Sequence, residues 1–167
     1  MITPSIPVNE SARLALLREL LLLDTPPEER LDKIVAFAAS EFDVPACLIS
    51  LVDNDRQWFK ARIGIDACET PRDISFCGHA LHSAQLLMVP DASLDVRFHD
   101  NPLVTGPPHI RFYAGAPLVC RDGLVIGTLC LIDTRPRLLD QIEQAILASL
   151  RDLVALELCP QPGDADA

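Results

Sequence analysis

Two groups of residues in this chain have types and spacings that could do chemistry. The first is Cys77, His79 and His82, within Ser75 to Ser83 (SFCGHALHS). A thiol beside two imidazoles points either to a soft-metal site or to a nucleophile with a base. On a helix His79 and His82 are three apart and share a face, whereas Cys77 and His79 are two apart and diverge. Three-ligand coordination would need a distorted backbone, so no metal site is expected, and a capped helix packing Phe76 and Cys77 into the domain is the simpler reading. A Cys/His pair also lacks a third group to orient the base, which leaves nucleophilic catalysis incomplete.

The second group is Asp91, Arg97, Asn101, Arg111 and Tyr113, in or beside the irregular stretch DASLDVRFHDNPLVTGPPH from Asp91 to His109. Two readings stand side by side. An Arg-carboxylate fork and an Asn cap on the Pro102 turn would pin a long loop to the body of the protein. The same groups could instead line a closed pocket, with Arg111 or Tyr113 donating to a ligand and Phe98 packing on it. Arg111 is the expected anchor for an anionic or carbonyl group, because its charge does not titrate away. The candidate ligand-binding set is therefore Cys77, His79, Asp91, Phe98, Asn101, Arg111 and Tyr113, with no catalytic residue assigned.

The elements that must position these groups follow from pattern. Arg111 to Val119 and Leu124 to Ile132 read as strands joined by Cys120-Arg121-Asp122-Gly123, and an Asp-Gly step between apolar runs signals a hairpin. Both strands are apolar on nearly every position, so both faces of the sheet should be covered. Ala46 to Val52 and Gln57 to Ile63 read as two more strands, with Trp58, Lys60 and Arg62 on one face, expected to be solvated. Leu86 to Val89 is a short strand. Helices are expected at Ser11 to Leu23, from Thr25 to about Glu41 with Thr25 and Glu28 as a capping box, at Ser75 to Ser83, and from Leu138 to Leu158. The terminal helices can cover only one sheet face. The other falls to the short helix and the irregular crossover, and a ligand would sit beneath them.

Composition narrows the partners. The chain has 167 residues, a formal charge of −10, and only 14 Lys and Arg, which never cluster. Nucleic acid and membrane surfaces are not expected partners. The start lacks the pattern of a signal peptide and no apolar run approaches a membrane span, so the cytoplasm is the expected compartment. Six scattered cysteines (Cys47, Cys68, Cys77, Cys120, Cys130, Cys159) are expected to be reduced and mostly buried. Residues 1–9 are expected as a flexible start, 10–158 as one domain and 159–167 as a flexible tail.

The order of elements, with SLVDNDRQWFK, ETPRDISFCGHAL, VPDASLDVRFHDNPLVTGPPHIRFYAGAPL and IGTLCLID, resembles the GAF domains of bacterial signalling proteins. The resemblance runs from about Ser11 to Leu158. It implies an α+β fold of GAF/PAS type: a central antiparallel sheet of five to six strands, terminal helices on one face, and short helices with an irregular crossover on the other. It also implies a stand-alone sensor or regulatory module that binds a small molecule or a signalling partner protein and acts through its terminal helices. No particular cofactor is implied.

Some proteins of this family are free methionine-(R)-sulfoxide reductases that use cysteines around the pocket. Cys77 falls near one of them, but no cysteine lies between Pro90 and Arg111, where that subgroup carries its attacking thiol. A thiol-dependent reductase is therefore the alternative, with a ligand-free dimerising scaffold as a third reading, and no catalytic activity is expected. The Asn-Lys-Phe-Asp-Glu signature of cyclic-nucleotide relatives is missing, and Gly78 separates the Cys and His that are adjacent in bilin-binding ones. Surplus leucine on the terminal helices predicts a homodimer, which Glu at Leu16 and Leu153 should split into monomers.

Overall fold

The hairpin lies at the centre. In the computed structural model, which describes residues 1–160, β5 (Phe112–Val119) and β6 (Val125–Asp133) are antiparallel and buried along almost their whole length. Asp122 and Gly123 take positive φ (59° and 72°), as a tight Asp-Gly turn requires. The other strands are β1 (Ala46–Val52), β2 (Arg56–Ile63), β3 (Glu69–Pro71) and β4 (Leu87–Val89). They complete an antiparallel sheet of six strands in the order β3-β2-β1-β6-β5-β4.

Alternation along β5 and β6 divides the core into two. Phe112, Ala114, Ala116, Leu129 and Leu131 point to one face, where they meet α1 (Glu10–Glu19), α2 (Glu29–Glu41) and α4 (Gln141–Leu158) through Leu16, Leu17, Leu31, Val35, Leu147 and Val154. Tyr113, Cys130 and Ile132 point to the other, with Leu48, Val52 and Phe59. They are covered by Phe76, Phe98, Val104 and Ile110 from short 3₁₀ turns, the single turn α3 (Pro102–Thr105) and the crossover. This is the expected α+β layering. Among the described residues, no helix is long and apolar enough to cross a membrane.

Several local expectations are corrected. The helix expected over Ser75 to Ser83 is a 3₁₀ turn of only Cys77–Ala80, with Ser75 Oγ accepting from Gly78 N at 3.1 Å. α1 ends at Glu19 because Leu21 turns left-handed (φ 53°). No capping box forms at Thr25. Its hydroxyl donates to the Leu22 carbonyl at 2.6 Å and accepts from Lys60 Nζ at 2.7 Å, so the side chain is not free to cap. Lys60 is not solvated either. Lys60 lies on the helix side with Trp58, at a bulge in the β1/β2 register, and reaches the N-terminal end of α2, where it bonds Thr25, the Pro26 carbonyl and Glu28 with its side chain 2% exposed.

Not all six cysteines are reduced. Cys120, just after β5, is joined to Cys159, at the end of α4, by a disulfide with Cα atoms 5.7 Å apart; the hairpin brings into reach two residues 39 apart in sequence. Cys47, Cys77 and Cys130 are free and buried, and Cys68 is free and exposed. Leu16 is 2% exposed and packs in the core, so a charge there would break the fold rather than an interface, whereas Leu153 on α4 is 52% exposed. Residues 1–9 lie against the 3₁₀ turn and the crossover: the Met1 ammonium pairs with Asp100, Ile2 N donates to the Arg97 carbonyl at 3.2 Å, and Pro4 packs beside Gly78. The tail expected over 159–167 lies, from residue 161 onward, outside the described residues.

Candidate functional site

Beneath the 3₁₀ turn, on the sheet face away from the long helices, lies a mostly apolar cavity of about 350 Å³. Its floor is the sheet: Leu48 of β1, Phe59 of β2, Tyr113 of β5, and Cys130 and Ile132 of β6. Its cover is Phe76 and Cys77 above, Leu103, Pro107, Pro108 and Ile110 from the crossover, and the loop Gly64 to Ala67 at one side. Gly64 holds φ +83°, and a Cβ there would overlap the Pro45 carbonyl, so the loop makes its close turn only with glycine. A cavity of this size, apolar with a few convergent polar groups, suits a small organic molecule.

The polar groups are few and mutually bonded. Gln57 Nε2 donates to Thr70 Oγ1 at 2.5 Å, and Ser50 Oγ donates to Gln57 Oε1 at 3.2 Å. Tyr113 Oη and Thr128 Oγ1 both donate to Cys77 Sγ, at 3.2 and 3.1 Å. The Cys130 thiol, acting with the Thr128, Tyr113 and Ser50 hydroxyls, outweighs burial and holds the Cys77 thiol below the usual cysteine range. Burial, together with the Cys77 and Cys130 sulfurs, pushes the Tyr113 hydroxyl well above its ordinary value, which keeps it protonated. Asp66 is the one charged residue among the described residues that line the cavity.

Of the seven residues singled out by sequence, Cys77 and Tyr113 meet in this cavity. The other five hold its cover in place. Asn101 caps α3 by accepting from Leu103 N at 2.9 Å and donates to the Ile74 carbonyl at 3.0 Å, tying the crossover to the segment before the turn. Asp91 accepts from Ser93 N and Oγ, at 3.0 and 2.6 Å, and so shapes the next 3₁₀ turn. Phe98 is fully buried and stacks on Phe76 with ring centroids 4.0 Å apart. His79 meets the edge of Phe98 and donates to the Ile2 carbonyl at 3.2 Å; burial pushes its imidazole down in pKa. Arg111 donates to the Val104 and Ile110 carbonyls, both at 3.0 Å. Arg97 forks onto Asp95 rather than onto a distant carboxylate, and its guanidinium lies 5.0 Å from the Phe98 centroid.

Four cavity residues with polar or thiol side chains were not singled out by sequence: Gln57, Asp66, Thr70 and Cys130. Gln57 and Cys130 each sit in a strand pattern at a position shared by ordinary core residues, and only strand pairing shows which face they take. Thr70 belongs to β3, a strand of three residues with no periodicity to detect.

Comparison with known proteins agrees with this architecture. Residues 26–158 match the family model described as GAF domain. A curated relative, a cyclic di-GMP phosphodiesterase of Pseudomonas aeruginosa, is 42% identical over 171 residues, covering 97% of this chain and 29% of that protein; the chain thus spans under a third of the relative's length. Among solved structures, the GAF domain from a phosphoenolpyruvate-protein phosphotransferase of Coxiella burnetii superposes with a TM-score of 0.65 at 17% identity, covering 87% of this chain and 91% of that one. A type II free methionine-R-sulfoxide reductase from Thermoplasma acidophilum gives 0.62 at 14% identity, covering 78% and 92%. The PixJ GAF domain of Thermosynechococcus elongatus gives 0.61 at 17%, covering 87% and 88%. At these identities the structures share the fold.

Proposed function

Because the chain belongs to the GAF domain family, we propose that it is a signalling module that binds a small molecule in the cavity under the 3₁₀ turn and passes occupancy to a partner through α4. The cavity carries this reading. It is preformed, it is walled by the sheet on one side and by short irregular elements on the other, and its cover is the part of the fold with least regular hydrogen bonding. A cover of that kind can shift with occupancy, and the sheet it packs on carries α4 on its opposite face, so the shift reaches the helix through the sheet.

The lining also selects the ligand class. Among the described residues that line the cavity Asp66 is the one charged group, and Arg111 is bonded to backbone carbonyls, so an anionic ligand meets no cation there. A neutral or amine-bearing organic molecule, using Gln57 and Thr70 for its polar end, fits better. The name of the 42%-identical relative supports an output in cyclic dinucleotide signalling.

The test is native mass spectrometry of freshly purified protein, with a thermal-shift screen of small neutral and cationic compounds. Hits should weaken or vanish in Ala67→Trp, which adds bulk at the loop side of the cavity and leaves the residues of the sheet unchanged. Hits that persist undiminished in that variant, or no retained molecule and no hits at all, would remove the reading.

The same module is proposed to pair with a second copy through α4. Ile142 (73% exposed), Ile146, Leu153 (52% exposed) and Leu156 fall at alternating spacings of about one and two turns along one side of α4, the spacing of a helix-pairing seam. α1 does not share this role, since Leu14, Leu16 and Leu17 are spent in the core of the same chain.

A further inference from the structure

We propose that Cys77 and Cys130 form a redox-active dithiol facing the cavity, oxidised by a small organic hydroperoxide to an intramolecular disulfide. Sequence offered one thiol near the site and none in the crossover; the structure supplies the second from the neighbouring sheet. Cys130 of β6 and Cys77 of the 3₁₀ turn both line the cavity, and Thr128, two residues before Cys130 on the same face of β6, donates its hydroxyl to Cys77 Sγ at 3.1 Å. Cys130 faces this way because the strand alternates: Leu129 and Leu131, on either side, face the helices.

The surroundings divide the two sulfurs by role. Cys77 accepts from the Tyr113 and Thr128 hydroxyls, which stabilise a thiolate, the form that attacks an electrophile. The neighbouring Cys77 sulfur, together with burial, raises the Cys130 thiol in pKa, so it keeps its proton. Cys47, one strand away on the helix side, has neither hydroxyl, and burial pushes it up to about 12. It is an inert thiol within the same fold.

The chemistry closes with these groups. The Cys77 thiolate attacks the terminal oxygen of the hydroperoxide, forming an S–O bond and breaking the O–O bond. The departing alkoxide takes a proton from the Tyr113 hydroxyl, which is replenished from solvent. Cys77 is then a sulfenic acid, and the Cys130 sulfur displaces its hydroxyl to give the disulfide and water. Two thiols lose two electrons, and the hydroperoxide gains them to become an alcohol and water. Apolar walls of Leu48, Phe59, Phe76 and Ile132 favour an organic peroxide over hydrogen peroxide. A free amino-acid sulfoxide fits less well, since among the described lining residues no cation would meet its carboxylate.

This proposal rests on the cavity admitting small molecules, the premise of the reading above. It is tested on purified Cys68→Ser protein, which removes the exposed thiol. One equivalent of cumene hydroperoxide should give a Cys77–Cys130 cross-linked peptide by mass spectrometry, about tenfold faster than hydrogen peroxide does and well before Cys47 is modified. Cys130→Ser should stop at a Cys77 sulfenic acid trapped by dimedone, and Tyr113→Phe should slow the first step by about tenfold. The peptide map of the otherwise native chain does not depend on any cavity variant folding. No cross-link, oxidation of Cys77 no faster than of Cys47, or preference for hydrogen peroxide would overturn the proposal. A retained or screened ligand is scored without oxidant, so either result can fail while the other stands.

Discussion

Glu10 sits between two buried guanidiniums, accepting from Arg13 Nη2 at 2.9 Å and from Arg72 Nη1 at 2.6 Å. Arg13 also donates to the Val52 carbonyl and Arg72 to the Asp53 carbonyl, so one carboxylate ties α1 to the β1–β2 turn. Burial alone would raise its pKa, but the hydrogen bonds from Arg72 and Arg13 prevail and bring it down to about 2. The folded protein therefore binds this proton less readily than the unfolded chain does. The stabilisation is fully present above about pH 4.5 and is lost as pH falls toward 2. In Glu10→Gln the acid-induced loss over that window should shrink by roughly 2 kcal/mol, after allowance for the carboxylate's partial exposure. Urea melts of both proteins at pH 7 and pH 3.5 would show the first part of it, under about 1 kcal/mol after the same allowance, and an unchanged difference between the two pH values would contradict it. None of this was legible in sequence, where Glu10, Arg13 and Arg72 are ordinary charges separated by up to 62 residues. Cys77 and Tyr113 were legible as chemical types. Their shared place was not, because it depends on which way a short turn and a strand face.

At the scale of elements, the sequence was readable wherever local pattern and tertiary environment agree. β1 and the β5–β6 hairpin fall within one or two residues of expectation, since continuous apolar runs bounded by turn residues have few other ways to fold. It misled where a long-range partner overrode the local signal, as at Thr25, which serves Lys60 instead of capping a helix. The Cys120–Cys159 bond is the same kind of event, made only once the hairpin and α4 are in place. Closing a loop of 39 residues restricts the unfolded chain by an amount worth roughly 3–4 kcal/mol. Cys159→Ser should thus lower the melting temperature by about 6–16 °C for a domain of this size. Calorimetry with and without a reductant checks this, because the reductant should lower the wild-type value and leave the variant where it is. A second test concerns the β1–β6 seam. Gly127 lies opposite Leu51, and a Cβ at Gly127 would fall on the Ser50 carbonyl, so Gly127→Ala must push two central strands apart. It should destabilise by about 2–3 kcal/mol, measured by chemical denaturation. A loss under 1 kcal/mol would mean the seam yields more easily than its packing implies.

For the molecule as a whole, the open question is what covers α4. Its inner side is used, with Leu147, Leu150 and Val154 in the core, and its N-terminus is fixed by a full capping box between Asp140 and Glu143. Its start is held by Arg137, which bonds the Phe42 carbonyl, and its end by the Cys120–Cys159 bond, so α4 is set rigidly on the sheet. A rigid helix with Ile142, Leu153 and Leu156 exposed presents a fixed apolar strip, and a second copy can cover it by a two-fold operation with the same residues on both sides. Three exposed apolar side chains on α4 make a small interface, so the dimer should be concentration-dependent, with dissociation roughly in the micromolar range, as small interfaces are weak. Ile142→Glu with Leu153→Glu should give monomers that keep the wild-type melting profile, because both side chains are outside the core. Leu16→Glu, by contrast, should not yield a folded monomer at all, since it places a charge where 2% of the residue meets solvent. Sedimentation velocity across a concentration series separates these outcomes. A wild-type chain that remains monomeric at 100-fold above the micromolar range would leave the α4 strip to a different protein, and the double Glu variant would then serve to find the loss of that partner.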